Sequence, residues 1–88
     1  MLERQIEAAL VQQAKRVGAL ALKWTSPGTT GVPDRIVWLP GGRVFCVELK
    51  APGKKPTPLQ VKVHQSLKAL GHDVYVVDSK EGVYALPW

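Results

Sequence analysis

Two apolar segments around a glycine turn constrain this chain more than any other feature of its sequence. Residues 36–39 and 44–49 are apolar runs, and Pro-Gly-Gly at 40–42 separates them. Apolar runs around a Gly-Gly turn predict a β-hairpin. In an antiparallel hairpin the start of the first strand lies beside the end of the second. Residues distant in sequence are therefore expected to meet at the end opposite the turn.

Three charges are expected at that open end. Asp34 begins the first strand, and Glu48 and Lys50 end the second. Because side chains alternate along a strand, Glu48 and Lys50 share one face with Val44 and Cys46. The second strand is otherwise apolar on both faces, as in a strand buried on both sides. Buried charges are costly unless they are paired or bind a metal. Two interpretations of these three charges follow, a mutual salt bridge or a functional site.

Composition indicates a small basic protein with one domain. Eighty-eight residues can form a small core, which oligomerisation would help to stabilise. The net charge of +5 and the pI of about 9.7 favour polyanions, nucleic acid first, although a merely soluble basic surface would explain them equally well. A single cysteine can form no internal disulfide and fits a reducing cytoplasm. The sequence has no signal-peptide pattern and no apolar stretch of bilayer length, so we expect no membrane association. We therefore expect a cytoplasmic protein.

Residues 3–17 have the pattern of an amphipathic helix, with Gly18 as its candidate cap. At about 100° per residue, Glu3 lies roughly 60° from the centre of the apolar stripe and Glu7 roughly 100° from it. We therefore expect Glu3 on the flank of the buried face and Glu7 nearer solvent. Glu3 is then either a third acid of the site or an acid favoured in the first turn by the helix dipole.

Residues 19–25 are predicted to form a strand leading inward, and residues 26–32 to form a loop. The loop runs directly into Asp34. Its amides and hydroxyls, including those of Ser26 and Thr29, could contact a phosphate, or the loop could be only a connection.

A second loop, residues 51–58, follows the hairpin and carries the adjacent cations Lys54 and Lys55. These lysines either contact phosphate or lie in a solvated turn. Arg35, directly after Asp34, is grouped with them as a candidate nucleic-acid contact.

A second helix is predicted between a cap at Thr57 and an end at Gly71. Gln60 either completes the capping box or faces the site. His64 and His72 lack the spacing of metal ligands and are interpreted as ordinary residues.

The C-terminal region is predicted less fully than the rest of the chain. Residues 73–77 have the β-branched content of another strand. Residues 78–88 fit either a short helix capped by Ser79 or an edge strand.

The two carboxylates suggest a metal site. Asp34 and Glu48 offer hard oxygen ligands that suit Mg²⁺ or Mn²⁺, with phosphate oxygens and water completing the shell. A divalent ion can lower the pKa of a water and stabilise an in-line phosphoryl displacement. Lys50 could position the attacking water or stabilise the pentacovalent phosphate. Glu3 would complete a site able to orient water or hold a second ion.

Four segments give the chain a family resemblance. They are Ser-Pro-Gly…Gly-Val-Pro-Asp-Arg at 26–35, Val-Glu-Leu-Lys-Ala-Pro-Gly at 47–53, Pro-Leu-Gln at 58–60 and Gly-His-Asp-Val-Tyr-Val-Val-Asp at 71–78. Together they resemble the VRR-Nuc (virus-type replication-repair nuclease) family of the PD-(D/E)XK nucleases, over nearly the whole chain, as a stand-alone, phage-type member. Such a member implies the cytoplasm of a bacterium or a phage-infected host. The resemblance implies an α/β, restriction-endonuclease-like core, a central mixed β-sheet flanked by helices, in one nuclease domain spanning residues 1–88.

The resemblance also implies residue roles. Asp34 and Glu48 would bind metal with help from the Leu49 carbonyl, and Lys50 would be the catalytic lysine. The run Glu3-Arg4-Gln5-Ile6 matches the first-helix acid of similar nucleases better than Glu7 does. Gln60 matches the glutamine that the family has on the helix after the motif.

The activity implied by the resemblance is metal-dependent, structure-selective DNA cleavage. A minimal member is similar to resolvases that cut four-way (Holliday) junctions as symmetric homodimers. Flap or single-strand cleavage is the alternative within the nuclease class. A catalytically idle DNA-binding module and a phage structural or interaction protein are the alternatives outside it.

Overall fold

One four-stranded mixed sheet organises the chain, and its strands lie in the order β1-β2-β3-β4. The computed structural model describes residues 1–88. Its elements in chain order are α1 (Glu3–Arg16), β1 (Leu20–Lys23), β2 (Arg35–Trp38), a 3-10 turn (Pro40–Gly42), β3 (Val44–Leu49), α2 (Pro58–Ala69), β4 (Val74–Val77) and α3 (Lys80–Tyr84). Strand β2 is antiparallel to both β1 and β3, and β4 runs parallel to β3. The expected α/β fold, a mixed sheet flanked by helices, is confirmed.

The hairpin forms where the sequence predicts it. Strand β2 pairs with β3 in a register that puts Arg35 opposite Val47. Gly41 and Gly42 have φ values of 82° and 84°, a left-handed conformation that glycine adopts without a steric penalty. Extending the register by one residue puts Asp34 at the open end of the ladder, beside the end of β3.

The main core lies between one face of the sheet and the helices α1 and α3. Its buried members include Ile6 and Leu10 from α1, Val37, Phe45, Val47, Leu49 and Val77 from the strands, and Val83 from α3. Full burial of one such aliphatic side chain contributes about 1.5–3 kcal/mol. This face therefore supplies much of the stability of the sheet that carries the charged hairpin end.

Strand β1 departs from the sequence-based expectation. It is an edge strand rather than a strand leading inward, and its leucines, Leu20 and Leu22, are 60% and 51% exposed. The small residues Ala19 and Ala21 are the buried ones. Because alternate residues of a strand point to opposite faces, burial of the alanines under α1 leaves the leucines on the open face.

Helix α2 lies on the other face of the sheet and begins with the predicted capping box. Thr57 Oγ1 accepts a hydrogen bond of 3.2 Å from the Gln60 N–H, and Gln60 Oε1 accepts one of 2.9 Å from the Thr57 N–H. His64 is the one buried residue of this helix, whereas Leu70 at its end is exposed. The helix therefore docks on the sheet through His64, with Val63 and Leu67 only partly buried beside it.

The C-terminal region resolves the choice left by the sequence. Residues Val74–Val77 form the predicted strand, and the following segment is a short helix rather than an edge strand. Ser79 caps this helix, since its Oγ accepts a hydrogen bond of 2.9 Å from the Gly82 N–H. None of the helices is long and apolar enough to cross a membrane.

Candidate active site

The open end of the hairpin brings together the charges that the sequence predicts there. The Leu49 N–H donates a hydrogen bond of 2.8 Å to Asp34 Oδ2, which ties that carboxylate to the end of β3. Glu48 is 1% exposed, and its Oε2 lies 3.8 Å from Lys50 Nζ. One ion pair at that distance is present, but a second carboxylate stands beside it. A mutual salt bridge therefore does not account for all three charges.

The electrostatics of Glu48 reflect this imbalance. The pKa of its carboxyl is raised from 4.5 to about 8, first by burial and then by the charge of Asp34 and a side-chain hydrogen bond with it. Lys50 lowers the pKa of Glu48 and Glu3 raises it, each by a smaller amount. Like charges on facing strand positions destabilise a sheet. A cation placed between the carboxylates would offset both the repulsion and the burial.

The donor set fits a hard divalent ion with an incomplete protein shell. No group of three or more His, Cys, Asp and Glu side chains is placed to hold a metal by itself. Magnesium commonly binds through one or two carboxylates, and water and substrate phosphates fill the remaining positions. Asp34 and Glu48 provide that number of carboxylates, so the residues fit Mg²⁺ or Mn²⁺ held jointly with a phosphate.

Helix α2 holds the carboxylate of Glu48 at two points. Gln60 Nε2 lies 3.4 Å from Glu48 Oε2, and His64 Nε2 lies 3.3 Å from Glu48 Oε1. The two residues are four positions apart, so they lie on the same side of the helix. Both alternatives for Gln60 hold at once, because its Oε1 completes the capping box while its Nε2 faces the site.

The sequence-based treatment of His64 as an ordinary residue missed its position at the site. Its ring contacts the buried Glu48 rather than the main apolar core. Desolvation lowers the pKa of His64, and the charges of Lys68 and Lys50 lower it further, whereas Asp34 raises it. The one available signal was its spacing of four from Gln60, a residue already assigned to the site.

Helix α1 contributes two acids to a cleft beside Asp34. The cleft, of about 290 Å³, is lined by Glu3, Glu7, Lys23, Trp24, Thr25, Val32, Pro33 and Asp34. Glu3 is exposed, whereas Glu7 is only partly exposed. The expectation that Glu7 lies nearer solvent is therefore wrong. The reason is Arg35, which draws Glu7 towards the sheet in an ion pair of 3.1 Å.

Arg35 itself makes two contacts within the protein. Its Nε bonds to Glu7 Oε2 at 3.1 Å, and its Nη1 donates to the Ala21 carbonyl at 2.7 Å. These two contacts fix the part-buried guanidinium between α1 and β1. The structure thus makes Arg35 a link between α1 and the sheet, and its contact with nucleic acid stays a prediction.

The remaining candidate nucleic-acid contacts lie in the two loops. Thr29, Lys54 and Lys55 are exposed and Ser26 is partly exposed. None of the four has a side-chain hydrogen bond or an ion pair with the carboxylates of the site. The loop that carries the lysines is tied down where the Gly53 N–H donates to an Asp78 carboxylate oxygen at 3.2 Å.

The fold and the charged end of its hairpin define a nuclease domain, and the comparisons identify its family. A solved structure described as "VRR_NUC domain" matches with a TM-score of 0.90 at 32% identity, over 96% of this chain and 91% of that chain. A protein of Acyrthosiphon pisum secondary endosymbiont phage 1, "Putative nuclease p44", is 51% identical over 85 residues, which are 97% of this chain and 91% of that protein. No family model matches the chain. The chain belongs to the VRR_NUC nuclease family.

Proposed function

We propose that this VRR_NUC nuclease is a divalent-metal-dependent, structure-selective DNA endonuclease. The observation that carries the proposal is the buried Glu48 beside Asp34, with only Lys50 at 3.8 Å to balance them. Asp34 and Glu48, with the Leu49 carbonyl, would hold Mg²⁺ or Mn²⁺. When bound, the ion supplies Lewis acidity, which lowers the pKa of water and stabilises charge on the scissile phosphate.

The other residues of the proposed site act on the water and the substrate. Lys50 keeps an ammonium beside Glu48, where it can orient the attacking water or stabilise charge that develops on phosphate oxygens. Gln60 orients the Glu48 carboxylate through its amide. Glu3, at the cleft that also contains Asp34, orients water or contributes to a second ion.

The proposed substrate is DNA, with branched or junction DNA preferred. A net charge of +5 supports binding to a phosphate backbone. Lys54 and Lys55 extend into solvent as phosphate contacts, and Ser26 and Thr29 supply hydroxyls from the loop that leads to Asp34. We assign residues 1–88 to one nuclease domain that acts in the cytoplasm of a bacterium or phage-infected host.

A symmetric homodimer is the proposed assembly, and the open sheet face is its proposed surface. Leu20, Trp38 and Val44 lie side by side in the ladder, and Leu22 lies in the adjacent row. Together these four residues expose on the order of 400 Å² per protomer. A standard interface buries ~800 Å² of each partner, about twice this area. Because roughly 56–65% of an interface is apolar, these four side chains could supply most of its apolar part. A second copy of the chain is the proposed occupant of this face. Two sites related by a two-fold axis would suit paired nicks in a four-way junction.

The test of the proposed activity separates cutting from binding. Asp34→Ala should abolish cleavage of a labelled four-way junction in Mg²⁺ and leave junction binding in EDTA close to that of the wild type. Wild-type protein that binds DNA but never cuts it would instead indicate an idle binding module. Wild-type protein without salt-sensitive DNA binding would indicate a structural or interaction protein.

A further inference from the structure

His64 occupies an unusual position for a helix-docking residue. It is 5% exposed and is the buried residue of α2, where a leucine or valine would normally anchor a helix. Its Nε2 lies 3.3 Å from Glu48 Oε1, while Gln60 Nε2 lies 3.4 Å from Glu48 Oε2. Each oxygen of the carboxylate therefore has its own partner on one helix.

Two partners restrain a carboxylate more than one does. With a bond to Gln60 alone, the Glu48 carboxylate could still turn about its last side-chain bond. A second bond on the opposite oxygen removes that freedom. Each carboxylate oxygen has two lone-pair sites, so the bonds from α2 take one site on each oxygen and leave the other for a further ligand.

We propose that His64 is a positioning residue that fixes the orientation of the Glu48 carboxylate for a divalent ion. The inference rests on the proposed metal site and adds a residue to it. Groups that hydrogen-bond to a metal-ligating side chain set its orientation, and their loss typically weakens metal affinity 10–100-fold.

The histidine suits this task as a neutral donor. A neutral imidazole has one N–H, on either of its two ring nitrogens. With that proton on Nε2, the ring donates to Glu48 without adding a positive charge next to the ion. A lysine or arginine in its place would compete with the metal for the carboxylate.

Two variants test the proposal because they carry the same amide group and differ only in side-chain length. In His64→Gln the side-chain amide nitrogen can occupy the place of Nε2, whereas in His64→Asn it can occupy only the place of Nδ1. The measurement is Mn²⁺ affinity of the full chain without DNA, by titration calorimetry or by the loss of the free Mn²⁺ EPR signal. His72→Asn is the matched control, since His72 is exposed and has no contact with Glu48.

The expected result is a loss of about tenfold or more in Mn²⁺ affinity for H64N, with H64Q and H72N close to the wild type. Unchanged affinity in H64N overturns the proposal, as does a folded H64Q that binds as weakly as H64N. If H64N does not fold, the Mn²⁺ affinity of H64Q decides between the outcomes. An affinity near that of the wild type supports the proposal, and a tenfold loss contradicts it. If the wild-type protein binds no Mn²⁺, the proposed metal site itself is contradicted. If only the His64 proposal is wrong, the wild-type protein still binds Mn²⁺.

Discussion

The backbone N–H of Leu49 donates a hydrogen bond of 2.8 Å to Oδ2 of Asp34. This bond connects the residue before β2 to the last residue of β3. It follows from the hairpin register, which pairs Arg35 with Val47 and so brings Asp34 opposite Glu48 when extended by one residue. The main chain thus holds two carboxylates at one point, an arrangement that is unfavourable unless a proton or a cation lies between them.

The first prediction concerns stability and pH without metal. The pKa of Glu48 is raised from 4.5 to about 8, so between these values the native state binds more protons than the unfolded state. The free energy of unfolding should therefore fall as pH rises through this window and level off above it. Thermal melts from pH 4 to 9 measure this, and added Mn²⁺ should raise the melting temperature most at the alkaline end.

Glu48→Gln is the control for that prediction. The amide resembles the protonated carboxyl but does not titrate, so the melting temperature of this variant should change less across the same window. An equally steep decline in both proteins would assign the pH dependence to another group.

Lys50→Ala should reduce cleavage far more than Mn²⁺ binding. The lysine lies 3.8 Å from Glu48 and is not proposed as a metal ligand, so its loss removes an electrostatic contribution to the reaction. Loss of one such group typically costs about 10²–10³ in rate. Single-turnover cleavage and calorimetric Mn²⁺ titration measure the two effects. An equal loss of both would mean that Lys50 holds the site together instead.

Substitutions of the two acids of α1, Glu3 and Glu7, should have different effects on activity and stability. Glu3→Gln is expected to lower the cleavage rate with little effect on melting temperature, because Glu3 is exposed in the cleft beside Asp34. Glu7→Gln should cost about 1 kcal/mol of stability, because it breaks the part-buried pair with Arg35. Melting curves and cleavage rates of both variants test this. The assignment of Glu3 fails if E7Q loses more activity than E3Q at a temperature where both are folded.

The open sheet face should carry the dimer. Leu22→Lys puts a charge on this face and should yield monomers by sedimentation equilibrium. Tyr84→Lys is the matched control, because Tyr84 is 54% exposed but belongs to α3 on the opposite side of the sheet. A dimer that persists in L22K, or that Y84K disrupts equally, would rule out this surface.

Local signals account for the parts of the fold that the sequence predicted well. The apolar runs and turn glycines of the hairpin, and the strand alternation that aligns Glu48 with Lys50, depend on neighbouring residues. The capping box of Thr57 and Gln60 is local in the same way. The structure has each of these elements where the pattern indicates it.

Contacts between distant elements explain what the sequence did not predict. Helical periodicity ranks Glu3 and Glu7 by their angle from the apolar stripe, but it contains no information on Arg35, 28 positions away from Glu7. The contact between His64 and Glu48 likewise depends on how α2 docks. The approach of that helix requires Gly31, where a Cβ would lie 3.0 Å from the Leu59 carbonyl oxygen.

The most direct test of the central claim is cleavage of a labelled four-way junction, beside linear duplex, flap and single-stranded DNA, in Mg²⁺, Mn²⁺ or EDTA. The account predicts paired, symmetric cuts in the junction with either metal and none in EDTA. Metal-dependent cutting of flaps or single strands alone would keep the site and contradict the junction preference. Two results would contradict a metal-dependent nuclease site at Asp34 and Glu48. One is cleavage that persists in EDTA, and the other is no cleavage of any substrate with either metal.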